Sequence, residues 1–245
     1  MDPGVLAAMK RWPNVPAVYD WLSLTPRGEW RLHPLGDAGQ GGPGESISNE
    51  QILAFINRNY VGGLDGCWFF QNGPQRVFVR IDGAPLILRV DPIAGQLTAH
   101  CGQLIQQVRH WWVDELGRLF VQTDAGPGMV DDRDLIQLCE VLRSADGQSL
   151  VDLFENLPSN PGQPAAAPAS TIPADEQTRT VRSSAEDKHV SRLVSSGLFD
   201  PTGSYAALIQ PAPLSQLDAS RIPACLGFVT HPGPQTTHET TQALE

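Results

Sequence analysis

Residues 66–90 form the densest aromatic and β-branched stretch of the chain, punctuated by Asn72-Gly73 and Asp82-Gly83. Each pair tolerates the positive φ of tight hairpin turns, and apolar runs flank both. The stretch predicts three short strands joined by two turns. Side chains alternate between the faces of a strand, so one face of this meander must be buried. With Asp82-Gly83 as a two-residue loop, Ile81 faces Ala84, Val79 faces Leu86, Val77 faces Leu88 and Arg76 faces Arg89. Val77, Val79, Ile81, Leu86 and Leu88 then make a core face. Arg76, Phe78, Arg80, Ile87 and Arg89 make the other. Like charges directly opposite are unfavourable, so Arg76 and Arg89 should want a shared anion. Guanidinium forks suit a small anion or a partner's carboxylate, which makes Arg76, Phe78, Arg80 and Arg89 the candidate ligand-binding residues. The alternative is that the chain's own acids neutralise the arginines, and 27 acidic against 17 basic side chains supply them amply.

The same balance, a net charge of −10, argues against a nucleic-acid binder, which needs a basic face. Apolar residues at 41% allow a packed core. Cys67, Cys101, Cys139 and Cys225 are far apart, each in or beside an apolar segment. They read as buried free thiols of a reducing compartment. No apolar run reaches the length of a membrane span, and the first residues lack the apolar stretch of a secretory signal. These features lead to the expectation of a cytoplasmic protein with no membrane partner.

Along the chain, Asp2-Pro3 opens a short helix. Residues 17–24 and 29–33 form a hairpin around Thr25-Pro26-Arg27-Gly28. Gly39-Gln-Gly41-Gly42-Pro43-Gly44 matches G-x-G-x-x-G formally, but Pro43 lies inside it and the next helix opens several residues later. The pyrophosphate fingerprint needs the helix to open within the motif, so this is read as a loop. Ser48 with Gln51 makes a capping box, and Ile52, Leu53, Phe55 and Ile56 make the apolar stripe of a helix. Short strands follow at 96–100 and 103–108, then a hairpin over 109–123 turning at Asp114–Gly117. A second capped helix opens near Asp131 and carries Leu135, Ile136, Leu138, Cys139 and Leu142.

Hairpin, glycine loop, capped helix and Asp-Gly turn thus occur twice, with Gly28 on Gly117 and Ser48 on Asp131. The expected fold is α+β: two related hairpin–capped helix–strand units, about 15–100 and about 101–157, forming one mostly antiparallel-sheet core over 1–157. At most one strand is expected over 149–157. Residues 158–184 turn to Pro, Ala, Ser, Gln and Thr and read as a disordered linker. Residues 185–245 read as a weakly structured tail, with a marginal helix over 185–196 and apolar islands at 205–209 and 222–229. The islands either dock a partner or fold back on the core, and the second is the commoner outcome.

Catalytic signatures are absent. The six histidines form no H-x-x-x-H, and none sits at metal spacing with a cysteine. There is no G-x-S-x-G elbow. Asp131, Asp132 and Asp134 sit at a helix start, where acids favour the macrodipole. No catalytic residue, metal ligand or cofactor is therefore assigned.

Residues 65–79, beginning Asp-Gly-Cys-Trp-Phe-Phe, together with 114–131 resemble a family of uncharacterised proteobacterial proteins known only as a domain of unknown function. The resemblance covers roughly residues 5–155. The order hairpin, helix, Asp-Gly-x-Trp strand, hairpin is also similar to a second uncharacterised proteobacterial family, with a repeated α+β motif and a suggested signalling role. These resemblances imply a repeat-built α+β fold and a non-enzymatic role. Three functions remain: a binding or regulatory module for a small anion or protein partner, an enzyme acting on an anionic small molecule, and a scaffold. The enzyme would bring His100, His110 or the aspartates into one cleft. The binding module needs only a pocket.

Overall fold

The computed structural model describes residues 1–155 and 193–234. The linker expected at 158–184 lies outside the described residues, as do 185–192 and 235–245 of the tail. The fold is α+β with two mostly antiparallel sheets. Among the described residues no helix is long and apolar enough to cross a membrane.

The first sheet is built from the N-terminal third. Helix α1 (Pro3–Arg11) opens on its proline and ends on Lys10 and Arg11, the basic end that the helix dipole favours. Strands β1 (Val18–Leu24) and β2 (Trp30–Leu32) form the expected hairpin, and β3 (Glu45–Ser46) pairs outside β2. Helix α2 (Glu50–Arg58) follows. Its cap is Asn49 rather than Ser48: the Asn49 side chain accepts from the N–H groups of Gln51 (3.0 Å) and Ile52 (3.1 Å). Strands β4 (Tyr60–Gly62), β5 (Trp68–Asn72) and β6 (Gln75–Ile81) complete the order β3-β2-β1-β6-β5-β4, with β1 and β6 parallel. Asn72 pairs with Gln75, so the turn expected here is the loop Gly73-Pro74, with Gly73 at φ +58°.

The second sheet uses β7 (Leu86–Asp91), β8 (Gln96–Ala99), β9 (Leu104–Ile105), β10 (Val108–Val113), β11 (Leu119–Thr123) and β12 (Pro127–Val130). Helices α3 (Leu135–Val141) and α4 (Leu150–Glu155) follow, the second where at most a strand was expected. Strands β13 (Leu193–Leu198) and β14 (Ala212–Gln216) and helix α5 (Ile222–Leu226) come from the expected tail. The strand order is β13-β14-β10-β11-β12-β7-β8-β9.

Two expectations are corrected. The Asp82-Gly83 hairpin does not form. Strand β6 is central in its sheet, with β5 on one edge and β1 on the other, so neither edge is free for β7. The chain instead crosses to the second sheet, where β7 runs parallel to β12. Pro85 has no N–H to give a hairpin partner. Gly83 is squeezed, since a Cβ there would lie 2.9 Å from Met129 Cε and 3.2 Å from Pro26 Cα. The register that set Arg76 opposite Arg89 therefore does not exist.

The second correction concerns the tail. Strand β14 lies between β10 and β13, parallel to the first. Residues 193–198 are a strand, not the last turns of a helix, and Tyr205, Leu208, Ile222, Leu226 and Phe228 are buried. The apolar islands fold back onto the core. Val229 N–H bonds Gly66 O and Ile81 N–H bonds Thr230 O, so the described end of the chain stitches onto the first sheet.

The two sheets share a pattern. Strands β3-β2-β1-β6-β5-β4 run antiparallel, antiparallel, parallel, antiparallel, antiparallel. Strands β12-β11-β10-β14-β13 repeat that order and those senses, and an antiparallel bridge between Arg143 and Phe199 stands at the position of the β4–β5 pairing. Leu22 lies opposite Val79 in one sheet as Trp111 lies opposite Leu214 in the other. One continuous cluster of buried side chains joins the two.

Candidate functional site

The four arginine-face residues are not gathered in one place. Arg76, Phe78 and Arg80 share the face of β6 that alternation predicts, while Arg89 lies in the other sheet. Arg76 is exposed and sits 4.9 Å over the Phe69 ring, a cation–π contact. Phe78 stacks on Tyr19 at 4.7 Å. Arg80 is buried and fully engaged. Its fork donates to Asp82 at 2.7 and 3.0 Å, and Nη1 donates to the carbonyls of Ala38 (2.7 Å) and Gly42 (3.1 Å). Arg89 donates to Asp134 at 2.7 Å and lies 3.7 Å from Asp131. The chain's own acids thus meet Arg80 and Arg89. The Asp134 carboxylate also takes the Val90 N–H at 2.8 Å, which ties the start of α3 to β7.

Arg80 belongs to a network that sequence reasoning missed. Ser23 Oγ lies 2.8 Å from His33 Nε2, and His33 Nδ1 lies 3.1 Å from Asp37. The order hydroxyl, imidazole, carboxylate is that of a hydrolase triad. Ser23 and His33 have no exposed surface, however, so the hydroxyl cannot meet a substrate in this conformation. What the network does is hold the glycine loop 36–44 on the outer face of the first sheet. The signal was available in the hairpin: Ser23 pairs with Arg31 on one side and Arg80 on the other, and His33 lies two residues beyond Arg31 on the same face.

The histidines of interest are dispersed. His100 is half-buried and packs against Trp30 and Tyr60, and its Nδ1 accepts from the Ile87 N–H at 3.2 Å. Its Nε2 therefore carries the hydrogen, and it has no hydrogen-bond partner. Burial pushes the ring's pKa down to about 4. His110 stacks on Trp112 at 4.0 Å and meets Ser215 Oγ at 2.9 Å, and burial lowers its pKa too. No group of three or more His, Cys, Asp or Glu side chains among the described residues could hold a metal.

A different feature does form a site. Between α2 and the inner face of the first sheet lies a groove of about 950 Å³. Ile52, Phe55 and Ile56, spaced i, i+3 and i+4, present one wall from α2. Leu22, Phe70 and Val77 from β1, β5 and β6 present the other. The helix does not seal against the sheet: Ile52 remains 50% exposed. A bulge opens the floor. Val18 pairs with Val77 and Leu22 with Val79, so β1 spans its step with two more residues than β6. Asp20 in the bulge takes φ +67°, a left-handed conformation that aspartate tolerates. The bulge turns Trp21 to the groove, where it is 46% exposed. Bulges commonly re-aim a side chain in this way. The polar lining is amides and hydroxyls, namely Ser46, Ser48, Asn49, Gln51, Asn72 and Gln75, and Glu45 is the one charged side chain among the described residues. None of the four arginine-face residues, and no histidine among the described residues, lines it.

These observations define a two-sheet α+β protein with a mainly apolar groove under its first capped helix. The chain belongs to the DUF2944 family, described as "Protein of unknown function (DUF2946)", which matches residues 1–233. Two crystal structures of DUF1285 family proteins are similar to it. One, from Silicibacter pomeroyi DSS-3, has 15% identity and a TM-score of 0.41, over 63% of this chain and 100% of that one. The other, from Shewanella baltica OS155, has 14% identity and a TM-score of 0.34, over 48% and 89%. No curated protein matches the chain.

Proposed function

We propose that this protein is a binding module whose site is the groove between α2 and the first sheet. The observation that carries the reading is the unsealed apolar wall: Trp21, Ile52 and Phe55 line one concavity, and Trp21 and Ile52 are about half exposed. Exposing large apolar side chains in one concave patch costs solvation free energy that closure of α2 onto the sheet would recover. The volume lies within the range of small-ligand and peptide sites. The occupant is apolar with a few polar contacts, and it carries no anion, because among the described residues the lining holds Glu45 and no cation. This moves the site away from Arg76, Phe78, Arg80 and Arg89 and changes the expected ligand from anionic to apolar. A cytoplasmic, regulatory role fits a module of this kind.

The test is a titration with the neutral dye N-phenyl-1-naphthylamine. Saturable binding that Ile52→Asp weakens at least tenfold, with the melting temperature unchanged, supports the reading. Dye binding that is equal in wild type and variant removes the groove as the site.

A further inference from the structure

We infer that the occupant of the groove is a short aromatic–aliphatic peptide segment of a protein partner, seated as the chain seats its own residues 205–208 in the second sheet. The inference rests on the groove reading above and adds the class of its ligand.

Strands β1 and β6 correspond to β10 and β14, and β5 to β13, by order and sense. The side-chain caps Asn49 and Asp131 correspond, each accepting from the N–H two residues on, which sets buried Ile56 on buried Leu138 and Phe55 on Gln137. In the first sheet β5 and β6 are joined by Gly73-Pro74 alone, and the groove lies open between that hairpin end, at Asn72 and Gln75, and the first turn of α2. In the second sheet β13 and β14 are joined by residues 199–211. That connection folds back and buries Tyr205, Ala207 and Leu208. Gln137 Nε2 donates to the Tyr205 hydroxyl at 2.7 Å, which places the segment against the first turn of α3. Asp200 fixes it by accepting the Tyr205 N–H at 2.9 Å and the Thr202 N–H at 2.8 Å. The second sheet thus supplies in cis what the first sheet lacks.

The lining sets the chemistry. Phe55 stands where Gln137 holds the tyrosine hydroxyl, so the first-sheet anchor is Phe or Leu rather than Tyr. The amides of Asn49, Asn72 and Gln75 and the hydroxyls of Ser46 and Ser48 offer hydrogen bonds to a peptide backbone. Glu45, the only charge that the described residues bring to the lining, complements a Lys or Arg beside the anchor. A fatty-acid carboxylate or a phosphate headgroup finds no cation there.

The experiment uses the full chain and the peptide acetyl-Ser-Phe-Ala-Ala-Leu-Ile-Lys-amide, with its scramble as control, displacing bound N-phenyl-1-naphthylamine. The expected result is displacement by the peptide and not by the scramble. Ile52→Asp should weaken it at least tenfold, and Glu45→Gln should weaken it only while the peptide carries its lysine. Trp21→Ala serves as a second groove variant, since Trp21 is half exposed and its loss should leave the fold intact. Dye that binds in the groove but is displaced by decanol and not by the peptide overturns the peptide inference and leaves the groove reading standing. Dye that does not bind in the groove overturns both.

Discussion

At the scale of single residues, buried polar groups carry the sharpest consequences. His100 is held neutral, because burial lowers its pKa from the ordinary 6.5 to about 4. The unfolded chain takes up a proton as pH falls through 6.5, while the folded chain does not until near 4. Stability from this residue is thus complete above pH 6.5 and is lost as pH falls towards 4. The linkage amounts to about 2 kcal/mol between pH 7 and pH 5. Urea denaturation at the two pH values should show that loss in the wild type and much less of it in His100→Gln. Equal losses in both would assign the acid sensitivity elsewhere. Arg80 is the other such residue. Arg80→Met leaves two loop carbonyls and the solvent-exposed Asp82 without their donor, and losing such charged hydrogen bonds costs about 2 kcal/mol. Denaturant melts should record that cost, while dye binding in the folded fraction stays unchanged, since Arg80 lies on the opposite face from the groove. Of the candidate residues, the face shared by Arg76, Phe78 and Arg80 was legible from alternation alone. The placement of Arg89 was not, because it depended on which strand claimed the edge of β6.

At the scale of elements, local grammar was readable wherever it fixed the backbone by itself. The β1–β2 and β10–β11 hairpins and the helix starting at Pro3 stand where turn residues and caps put them. Asn49 rather than Ser48 caps α2, a one-residue displacement between two residues that both cap well. Asn49→Ala should cost about 1 kcal/mol and loosen the first turn that carries Ile52. Hydrogen exchange at the amides of Gln51 and Ile52, which Asn49 now accepts, should speed up in that variant and stay unchanged on β10. Where the reading failed, pairing was decided by distant chain. Asp82-Gly83 has the residues of a hairpin turn, but β6 had already found β1 and β5, and Pro85 could not serve as a partner. The groove was likewise invisible. Its walls come from α2, β1, β5 and β6, and a stripe such as Ile52, Phe55 and Ile56 reads the same whether it is covered or open.

At the scale of the molecule, the second sheet depends on strands β13 and β14, which come from beyond residue 192. Composition at 158–184 suggested where the core would stop, and it hid the return of β13 and β14. Because β14 lies between β10 and β13, a protease site inserted near residue 170 should, once cut, leave both fragments in one particle by gel filtration. Fragments that separate would contradict the sheet order. The central claim is that the open groove is a binding site. It is tested most directly by fluorine NMR of protein labelled with 5-fluorotryptophan, the Trp21 signal being assigned through Trp21→Phe. Saturating N-phenyl-1-naphthylamine should shift the Trp21 resonance and leave that of fully buried Trp111 in place. A Trp21 resonance that does not move at saturating dye would contradict the claim.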